Sequence, residues 1–170
     1  MMNRGYSREW YLHRIEKIKE ILGDACGISS DFITGFCSET DSEHQDTLSL
    51  MESVKFDFSY MFAYSERPGT LAAKKYRDDI PDEIKKNRLD QIIKLQQQHS
   101  LERNKKDVGK TFNVLIEGFS KRSTEFLQGR NSANKVVVFP KENFRKGEYV
   151  NVLVEDCTSA TLTGKAINGW

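Results

Sequence analysis

One segment of the sequence combines a glycine with nearby carboxylates at the end of a predicted strand. Residues 35–40 read GFCSET and follow an apolar stretch that predicts a strand over residues 26–36. Gly35 allows the backbone to approach a ligand closely. Asp31 and Glu39 offer carboxylates that could bind an amine or the hydroxyls of a ribose. This segment is therefore a candidate ligand-binding turn.

A second segment, residues 65–70 (SERPGT), follows the next predicted strand. Arg67 could hold a carboxylate or phosphate through two parallel hydrogen bonds, and Pro68-Gly69 would fix the shape of the loop. The carboxyl ends of parallel strands meet at one edge of a sheet, where α/β proteins bind their ligands. The spacing alone also fits an ordinary loop in which Glu39 and Arg67 are merely solvated.

A third set of residues is basic and lies in the last third of the chain. It consists of Lys121, Arg122, Arg130 and Lys135, with Phe119, Phe126 and Phe139 interleaved. Small β-barrels bind single-stranded or looped RNA by combining cations with stacking faces. We expect the cations to contact RNA and the three phenylalanines to lie in a core.

Composition excludes several classes of protein. The chain has 170 residues and a net charge of only +1, which excludes a uniformly basic nucleic-acid-binding protein. It has no apolar run of the roughly 18–20 residues that a membrane span needs and no signal-peptide core. Three scattered cysteines without CxxC spacing favour a reduced, cytoplasmic setting without disulfides. We expect no metal site, and we expect the three histidines to lie on the surface: His13, His44 and His99.

Hydrophobic periodicity and breaker residues divide the chain into two halves. The first half alternates helix and strand. Its predicted elements are a helix over residues 7–22 capped by Ser7, a strand within 26–36, a helix capped by Thr40 or Asp41, a strand over 56–64, a short helix from Leu71, and a helix over 81–106 with Pro81 in its first turn. Beyond Leu95 the last helix becomes polar, which is typical of a connector leaving a domain.

The alternation of helix and strand predicts parallel strands with helical crossovers. Two parallel strands cannot form a sheet that is buried on both faces. Residues 1–106 therefore suggest the end of a larger α/β domain, and a small independent α+β unit is the alternative. Residues 107–170 contain five short strand-like segments separated by turn residues, which predict a small antiparallel barrel or sandwich.

Several ordered motifs resemble the radical S-adenosylmethionine methylthiotransferases. They are residues 2–7 (MNRGYS), 31–36 (DFITGF) followed by Glu39-Thr40, and 64–70 (YSERPGT). Residues 108–167 resemble the RNA-binding TRAM β-barrel of that family. Within it, residues 120–123 (SKRS), 127–130 (LQGR) and 134–139 (NKVVVF) are most similar to the tRNA-modifying branch.

The resemblance implies an enzyme that uses S-adenosylmethionine and two 4Fe–4S clusters. It would add a methylthio group to C2 of N6-isopentenyladenosine next to the tRNA anticodon. The cluster ligands of the family lie in an N-terminal domain and a CxxxCxxC motif, and this sequence contains neither. The resemblance therefore implies the last segment of a radical S-adenosylmethionine barrel, a partial TIM-like barrel over residues 1–106, followed by a five-stranded antiparallel TRAM barrel over 107–170. We expect the isolated chain to be catalytically inactive.

The resemblance also implies roles for individual residues. Those expected to shape the S-adenosylmethionine pocket are Asp31, Gly35 and Glu39. Those expected to border the mouth of the active site are Ser65, Arg67 and Thr70. Those expected to contact tRNA are Arg4, Lys121, Arg122, Arg130 and Lys135. Cys37-Ser38 departs from the Pro-Gly that the family often has before Glu39.

The partners implied by the resemblance are the tRNA anticodon stem-loop and S-adenosylmethionine, with neither a membrane nor DNA and with a monomeric complete enzyme. Two alternatives remain at this point. One is a stand-alone RNA-binding TRAM protein without catalysis. The other is a fragment of the sister enzyme that methylthiolates a ribosomal protein.

Overall fold

The computed structural model describes residues 4–167, in which an α/β half precedes a closed β-barrel. The elements in chain order are α1 (Arg8–Leu22), β1 (Ser29–Thr34), α2 (Asp41–Val54), β2 (Phe58–Ala63), α3 (Leu71–Lys75), α4 (Asp82–Lys105), β3 (Thr111–Ser120), β4 (Ser123–Arg130), β5 (Val136–Pro140), β6 (Tyr149–Cys157) and β7 (Leu162–Ala166). This order confirms the predicted alternation of helix and strand and the five strands that follow it.

Local capping residues determine where the helices begin. The Ser7 hydroxyl accepts a hydrogen bond from the backbone of α1. Thr40 forms a capping box with Glu43 at the start of α2. Pro81 directly precedes α4 as its N-cap, so it lies one position before the first turn in which the sequence predicted it.

The two strands of the α/β half run parallel, as the helical crossover predicted. They pair in register from Ser29 opposite Phe58 to Thr34 opposite Ala63. The helices cover one face of this sheet. The core on that face consists of Ile15, Phe32, Met51, Val54, Phe56 and Ile92.

The opposite face of the β1–β2 sheet is open in the described part of the chain. Asp31 lies opposite Tyr60 and Ile33 lies opposite Phe62. The side chain of Tyr60 is 63% exposed and that of Phe62 is 53% exposed. Residues 4–167 therefore bury only one face of this sheet.

The polar end of α4 is a packing surface, which corrects the expectation of a connector leaving the domain. Gln96 and Ser100 are both buried. Gln96 Nε2 donates to the carbonyl of Phe56 at 2.9 Å, and Ser100 Oγ donates to the carbonyl of Asp57 at 2.7 Å. These polar residues recur at helical spacing on the side of α4 that faces β2. Within the described residues, no helix has the length and apolar character to cross a membrane.

Two of the three histidines are buried, which contradicts the expectation of surface positions. His44 and His99 lie on the inward sides of α2 and α4, whereas His13 is exposed. The His44 ring forms a hydrogen bond of 3.1 Å with Gln91. Burial lowers the pKa of His99 because the charged imidazolium is poorly solvated there.

The second half is a closed barrel with the strand order β3-β4-β5-β7-β6. Four neighbouring pairs are antiparallel, and the β5–β7 pair is parallel, with Val137 opposite Leu162. The prediction of an entirely antiparallel barrel is therefore wrong at this one seam. An odd number of strands in a closed ring cannot alternate in direction throughout, so at least one pair must be parallel. The core of the barrel includes Val114, Ile116, Leu127, Val137, Phe139, Val150, Val152, Val154 and Leu162.

A buried carboxylate, Asp57, joins the two halves. It accepts hydrogen bonds from the backbone N–H of Ile28 at 2.9 Å and from Arg103 Nε at 3.1 Å. Lys135 Nζ, from the barrel, lies 3.3 Å from the same carboxylate and 2.7 Å from that of Asp107. We call Asp57, Arg103, Asp107 and Lys135 the junction cluster.

Other contacts bring the two halves close together at the same place. Asn104 Nδ2, at the end of α4, donates to the carbonyl of Thr158 at 2.8 Å. A Cβ atom added to Gly27 would lie 2.6 Å from the carbonyl oxygen of Ala133, so a side chain at this position would push the halves apart. The halves therefore meet through direct polar and backbone contacts.

We expect the substitution Asp57→Asn to destabilise the chain by about 3–5 kcal/mol, because it removes the buried carboxylate that pairs with Arg103 and leaves Lys135 with Asp107 alone. Urea unfolding followed by circular dichroism measures the loss. Glu102→Gln removes the exposed Lys55–Glu102 pair and serves as the control, with an expected loss below about 1 kcal/mol. Equal losses in the two variants would contradict the role of the junction cluster.

Candidate active-site edge and nucleic-acid interface

The turn after β1 is held in shape by the Glu39 carboxylate. Glu39 Oε2 accepts a hydrogen bond from the Gly35 backbone N–H at 2.7 Å. The same oxygen accepts from Arg88 Nη1 at 2.7 Å, and Arg88 Nη1 also donates to the Glu39 carbonyl at 3.0 Å. Glu39 is thus committed to contacts within the chain, which close the turn around Gly35.

Arg88 is the buried cation that anchors this turn to α4. Its side chain is only 7% exposed, and Nη2 donates to Asp41 Oδ1 at 2.7 Å. Burial alone lowers the pKa of Arg88, but the hydrogen bonds to Asp41 and Glu39 outweigh it and the resulting pKa is raised. The guanidinium therefore remains charged and links α4 to the start of α2.

Gly35 is required for packing against α4. Its φ of 73° lies in the left-handed region, and a Cβ added there would collide with Cγ of Lys85. The Lys85 stem fills that space, and its Nζ donates to Asp78 Oδ2 at 2.6 Å. The absence of a side chain at Gly35 thus accommodates a buried lysine of this chain.

Two buried polar atoms beside Lys85 have no hydrogen-bond partner among the described residues. They are the Tyr64 hydroxyl and Asp78 Oδ1. Lys85 Nζ lies 5.6 Å from the centroid of the Tyr64 ring. Buried polar groups are normally paired with protein or ordered water. Tyr64, directly after β2, and Asp78, between α3 and α4, therefore each have one buried polar atom unpaired among the described residues.

The loop after β2 has a backbone fixed by Thr70 and two exposed side chains. Thr70 caps α3 by accepting from the Ala73 N–H at 3.3 Å, and its own hydroxyl donates to the Arg67 carbonyl at 2.8 Å. Ser65 and Arg67 are exposed. Within residues 4–167, the Arg67 guanidinium makes neither an ion pair nor a hydrogen bond, so it is available to a ligand.

Asp31 lies on the open face of the sheet, away from the Glu39 network. It is exposed and lies opposite Tyr60 in the parallel register. The open face therefore presents a carboxylate next to an exposed aromatic ring.

Sequence reasoning missed the charged residues of α4 and of the segment before it that support this edge. Lys85 and Arg88 hold the turn after β1, and Asp79 accepts hydrogen bonds from the backbone N–H and hydroxyl of Ser38. These two bonds lower the pKa of Asp79. The spacing of Lys85 and Arg88 with Ile92 places all three on one face of α4, and that spacing was the available signal.

The β3–β4 turn carries the first two predicted RNA contacts. Lys121 and Arg122 lie between Ser120 and Ser123, which pair with each other, and both cations are exposed. Neither forms an ion pair within the described part of the chain. We call residues 120–123 the basic hairpin.

The other two predicted basic contacts in the barrel are already engaged. Arg130 Nη1 donates to the carbonyl of Asn134 at 2.8 Å, and Arg130 Nε lies 3.4 Å from Glu117. The Lys135 side chain is only 10% exposed and belongs to the junction cluster. An RNA phosphate could reach Lys135 only if its pairs with Asp57 and Asp107 broke. Arg4 is exposed at the start of the described residues.

Only one of the three interleaved phenylalanines lies in the core. Phe139 is fully buried, as expected. Phe119 is 53% exposed and Phe126 is 41% exposed, which contradicts the core prediction for both. Lys141 Nζ lies 5.1 Å from the centroid of the Phe119 ring, within the range of a cation–π contact.

The described residues do not fit an iron–sulfur cluster. The three cysteines are free thiols, and Cys37 is buried. No group of three or more His, Cys, Asp or Glu side chains in residues 4–167 is arranged to hold a metal ion. Clusters of this kind require several cysteine thiolates at one place.

Comparisons with known proteins give one family match and several similar relatives. Residues 105–167 match the TRAM domain. Three curated relatives carry the name tRNA-2-methylthio-N(6)-dimethylallyladenosine synthase. The protein from Amoebophilus asiaticus is 62% identical over 97% of this chain and 34% of its own length, that from Porphyromonas gingivalis 54% over 98% and 36%, and that from Christiangramia forsetii 55% over 98% and 34%.

The chain therefore spans about a third of the length of the curated relatives it matches. The resemblance to the C-terminal part of this enzyme family, which the motifs predicted, is confirmed. The expectation of a small TRAM β-barrel in the last part of the chain is also confirmed.

We expect Gly35→Ala to destabilise the chain by about 2–5 kcal/mol, because the left-handed backbone costs roughly 1–2 kcal/mol and the added methyl group would displace Lys85 at a further cost of about 1–3 kcal/mol. Gly69→Ala is the matched control. Gly69 has a similar φ of 84°, but a Cβ there would meet nothing within 4 Å. Thermal unfolding of both variants measures the difference, and equal losses would show that the Lys85 contact is unimportant.

Proposed function

We propose that this chain forms the C-terminal third of a tRNA-2-methylthio-N6-dimethylallyladenosine synthase. The observation that carries the proposal is identity of 52–62% with enzymes of that name along almost the whole chain. The open sheet face and the exposed basic hairpin support it, since one fits the wall of a larger barrel and the other fits an RNA ligand.

The complete enzyme would transfer a methylthio group to C2 of an isopentenylated adenosine next to the tRNA anticodon. Bound S-adenosylmethionine and two 4Fe–4S clusters would supply the radical and the sulfur. We assign no step to the clusters in this chain, because its described residues do not fit them. The contribution of this chain is one wall of the active site and the tRNA-binding domain.

We propose that the open face of β1 and β2 lines the cofactor side of the complete barrel. Asp31 and Tyr60 together fit an adenosine-containing cofactor, since a carboxylate binds ribose hydroxyls and an aromatic ring packs on a flat base. Gly35 and Glu39 act through the shape of the turn, because one accommodates Lys85 and the other closes the turn with Arg88. S-adenosylmethionine fits this face.

The loop at residues 65–70 would border the mouth of the active site. Arg67 supplies a free guanidinium there, and Thr70 fixes the backbone that carries it. Ser65 provides an exposed hydroxyl at the beginning of the loop. These side chains are suited to hold an anionic group of the RNA or cofactor.

We propose that Lys121 and Arg122 contact tRNA phosphates directly, since both are exposed and unpaired in the described part of the chain. Arg130, which is bonded to the loop at Asn134, would provide a further tRNA contact from the barrel. Arg4 would provide one from the α/β half. Lys135 would contribute by holding the barrel in place next to Asp57. The ligand would be the anticodon stem-loop.

We place the boundary between the two domains at residues 106 and 107. The end of α4 at Lys105 and the start of β3 at Thr111 support this position. The complete enzyme would act in the cytoplasm as a monomer. A stand-alone RNA-binding role or a ribosomal-protein substrate has less support, because the relatives carry the name of the tRNA enzyme.

We expect Arg67→Ala in the complete enzyme to reduce single-turnover methylthiolation at least tenfold, because an unpaired guanidinium at the active-site mouth is removed. Lys75→Ala removes an exposed cation from the following helix α3 and is the control, with near-normal turnover expected. The yield of methylthiolated tRNA is measured after one turnover. Normal turnover of Arg67→Ala would exclude the proposed role.

We expect the double substitution Lys121→Ala/Arg122→Ala to weaken binding of the anticodon stem-loop and to flatten its salt dependence. The loss of two phosphate contacts reduces the slope of log K against log salt by about 1–2. Titrations at several salt concentrations measure that slope. Arg145→Ala/Lys146→Ala removes another exposed adjacent pair of cations from the barrel as the control. An unchanged slope for the first variant would argue against contact at the basic hairpin.

A further inference from the structure

Phe119 is an exposed aromatic ring at the end of a barrel strand. The ladder between β3 and β4 shifts register between Ile116 and Gly118, and Phe119 then pairs with Leu127. Leu127 is buried in the barrel, whereas more than half of Phe119 is exposed. Phe119 lies on the outward side of β3, whose burial alternates through this position. It therefore presents a large apolar ring beside the basic hairpin, near the end of the strand.

One cation lies over this ring, and two more follow it in the chain. Lys121 and Arg122 follow Phe119 closely in the turn, and Lys141 Nζ lies 5.1 Å from the ring centroid. The backbone N–H of Lys141 donates to the carbonyl of Glu125 at 2.8 Å, which ties this lysine to the neighbouring strand β4. Within residues 4–167, none of the three cations forms an ion pair. An exposed apolar ring with Lys141 over it and the basic hairpin next in the chain matches a ligand that is both flat and negatively charged.

We propose that Phe119 is the stacking surface for one unpaired nucleobase of the bound RNA, with Lys121, Arg122 and Lys141 holding the adjacent phosphates. This inference rests on the proposed tRNA-binding function and assigns one contact within it. Every base has a π-face, so any of the four bases can stack on phenylalanine. The base must be unpaired and outside a helix for its face to be accessible. The anticodon loop supplies such bases.

Phe126 provides the internal comparison. It is 41% exposed and belongs to β4, where it lies opposite Pro140. Among the described residues, no cation lies over its ring. Exposure is thus similar for the two phenylalanines, and the cationic surroundings distinguish Phe119.

The test measures binding of the full 170-residue chain to an RNA hairpin with an anticodon-type loop and to a blunt duplex of the same stem sequence. We expect Phe119→Ala and Phe119→Leu to weaken hairpin binding about tenfold, because both lose the π-face. We expect Phe119→Trp to retain the affinity of the unmodified chain and Phe126→Ala to leave it unchanged. Duplex binding should be the same in all variants, and circular dichroism verifies folding.

The outcomes separate this contact from the proposed function. If Phe119→Ala binds the hairpin normally while Lys121→Ala/Arg122→Ala flattens the salt dependence, RNA binding stands and the stacking role is overturned. If Phe119→Leu binds as well as the unmodified chain, the ring acts only as apolar surface and stacking is again overturned. If the unmodified chain does not bind the hairpin at all, both the proposed function and this contact fail. A steeper loss for the hairpin than for the duplex, with an unchanged salt slope, supports stacking.

Discussion

The relative placement of the two halves depends on one buried carboxylate. Asp57 begins the segment that leads into β2, yet it binds the backbone before β1, the Arg103 side chain of α4 and the Lys135 side chain of the barrel. A charge buried in this way is stable only with its partners in place. The barrel is therefore held against the α/β half by paired charges that come from both.

A buried ion pair also fixes the turn at the end of β1. The carboxylate that the motif suggested for a ligand, Glu39, is instead occupied by Arg88 and by the backbone of Gly35. The aliphatic stem of Lys85 fills the space that Gly35 leaves. Gly35 and Glu39 thus fix the shape of this turn, whereas Asp31 and Arg67 are exposed.

Local and periodic signals in the sequence predicted the elements well. Ser7 and Thr40 start their helices because capping depends only on the next few residues, and the parallel pairing of β1 and β2 followed from the helical crossover between them.

What the sequence did not predict depends on partners that are distant along the chain. Lys135 is buried because of Asp57 and Asp107, which no local pattern reveals. Phe119 is exposed because it falls on the outward side of β3, and its partner in the ladder, Leu127, gives no sign of this because it is buried. The polar half of α4 was misinterpreted because its buried face consists of hydrogen-bonding residues such as Gln96 rather than apolar ones.

The two halves differ in how many strand edges have their backbone hydrogen-bonding groups paired. The five barrel strands form a closed ring, so each has a neighbour on both sides. In the described residues, β1 and β2 have only each other, which leaves one hydrogen-bonding edge of each strand available. Strand addition is therefore directed to the α/β half. The barrel therefore has no unpaired strand edge, whereas β1 and β2 in the described residues each have one.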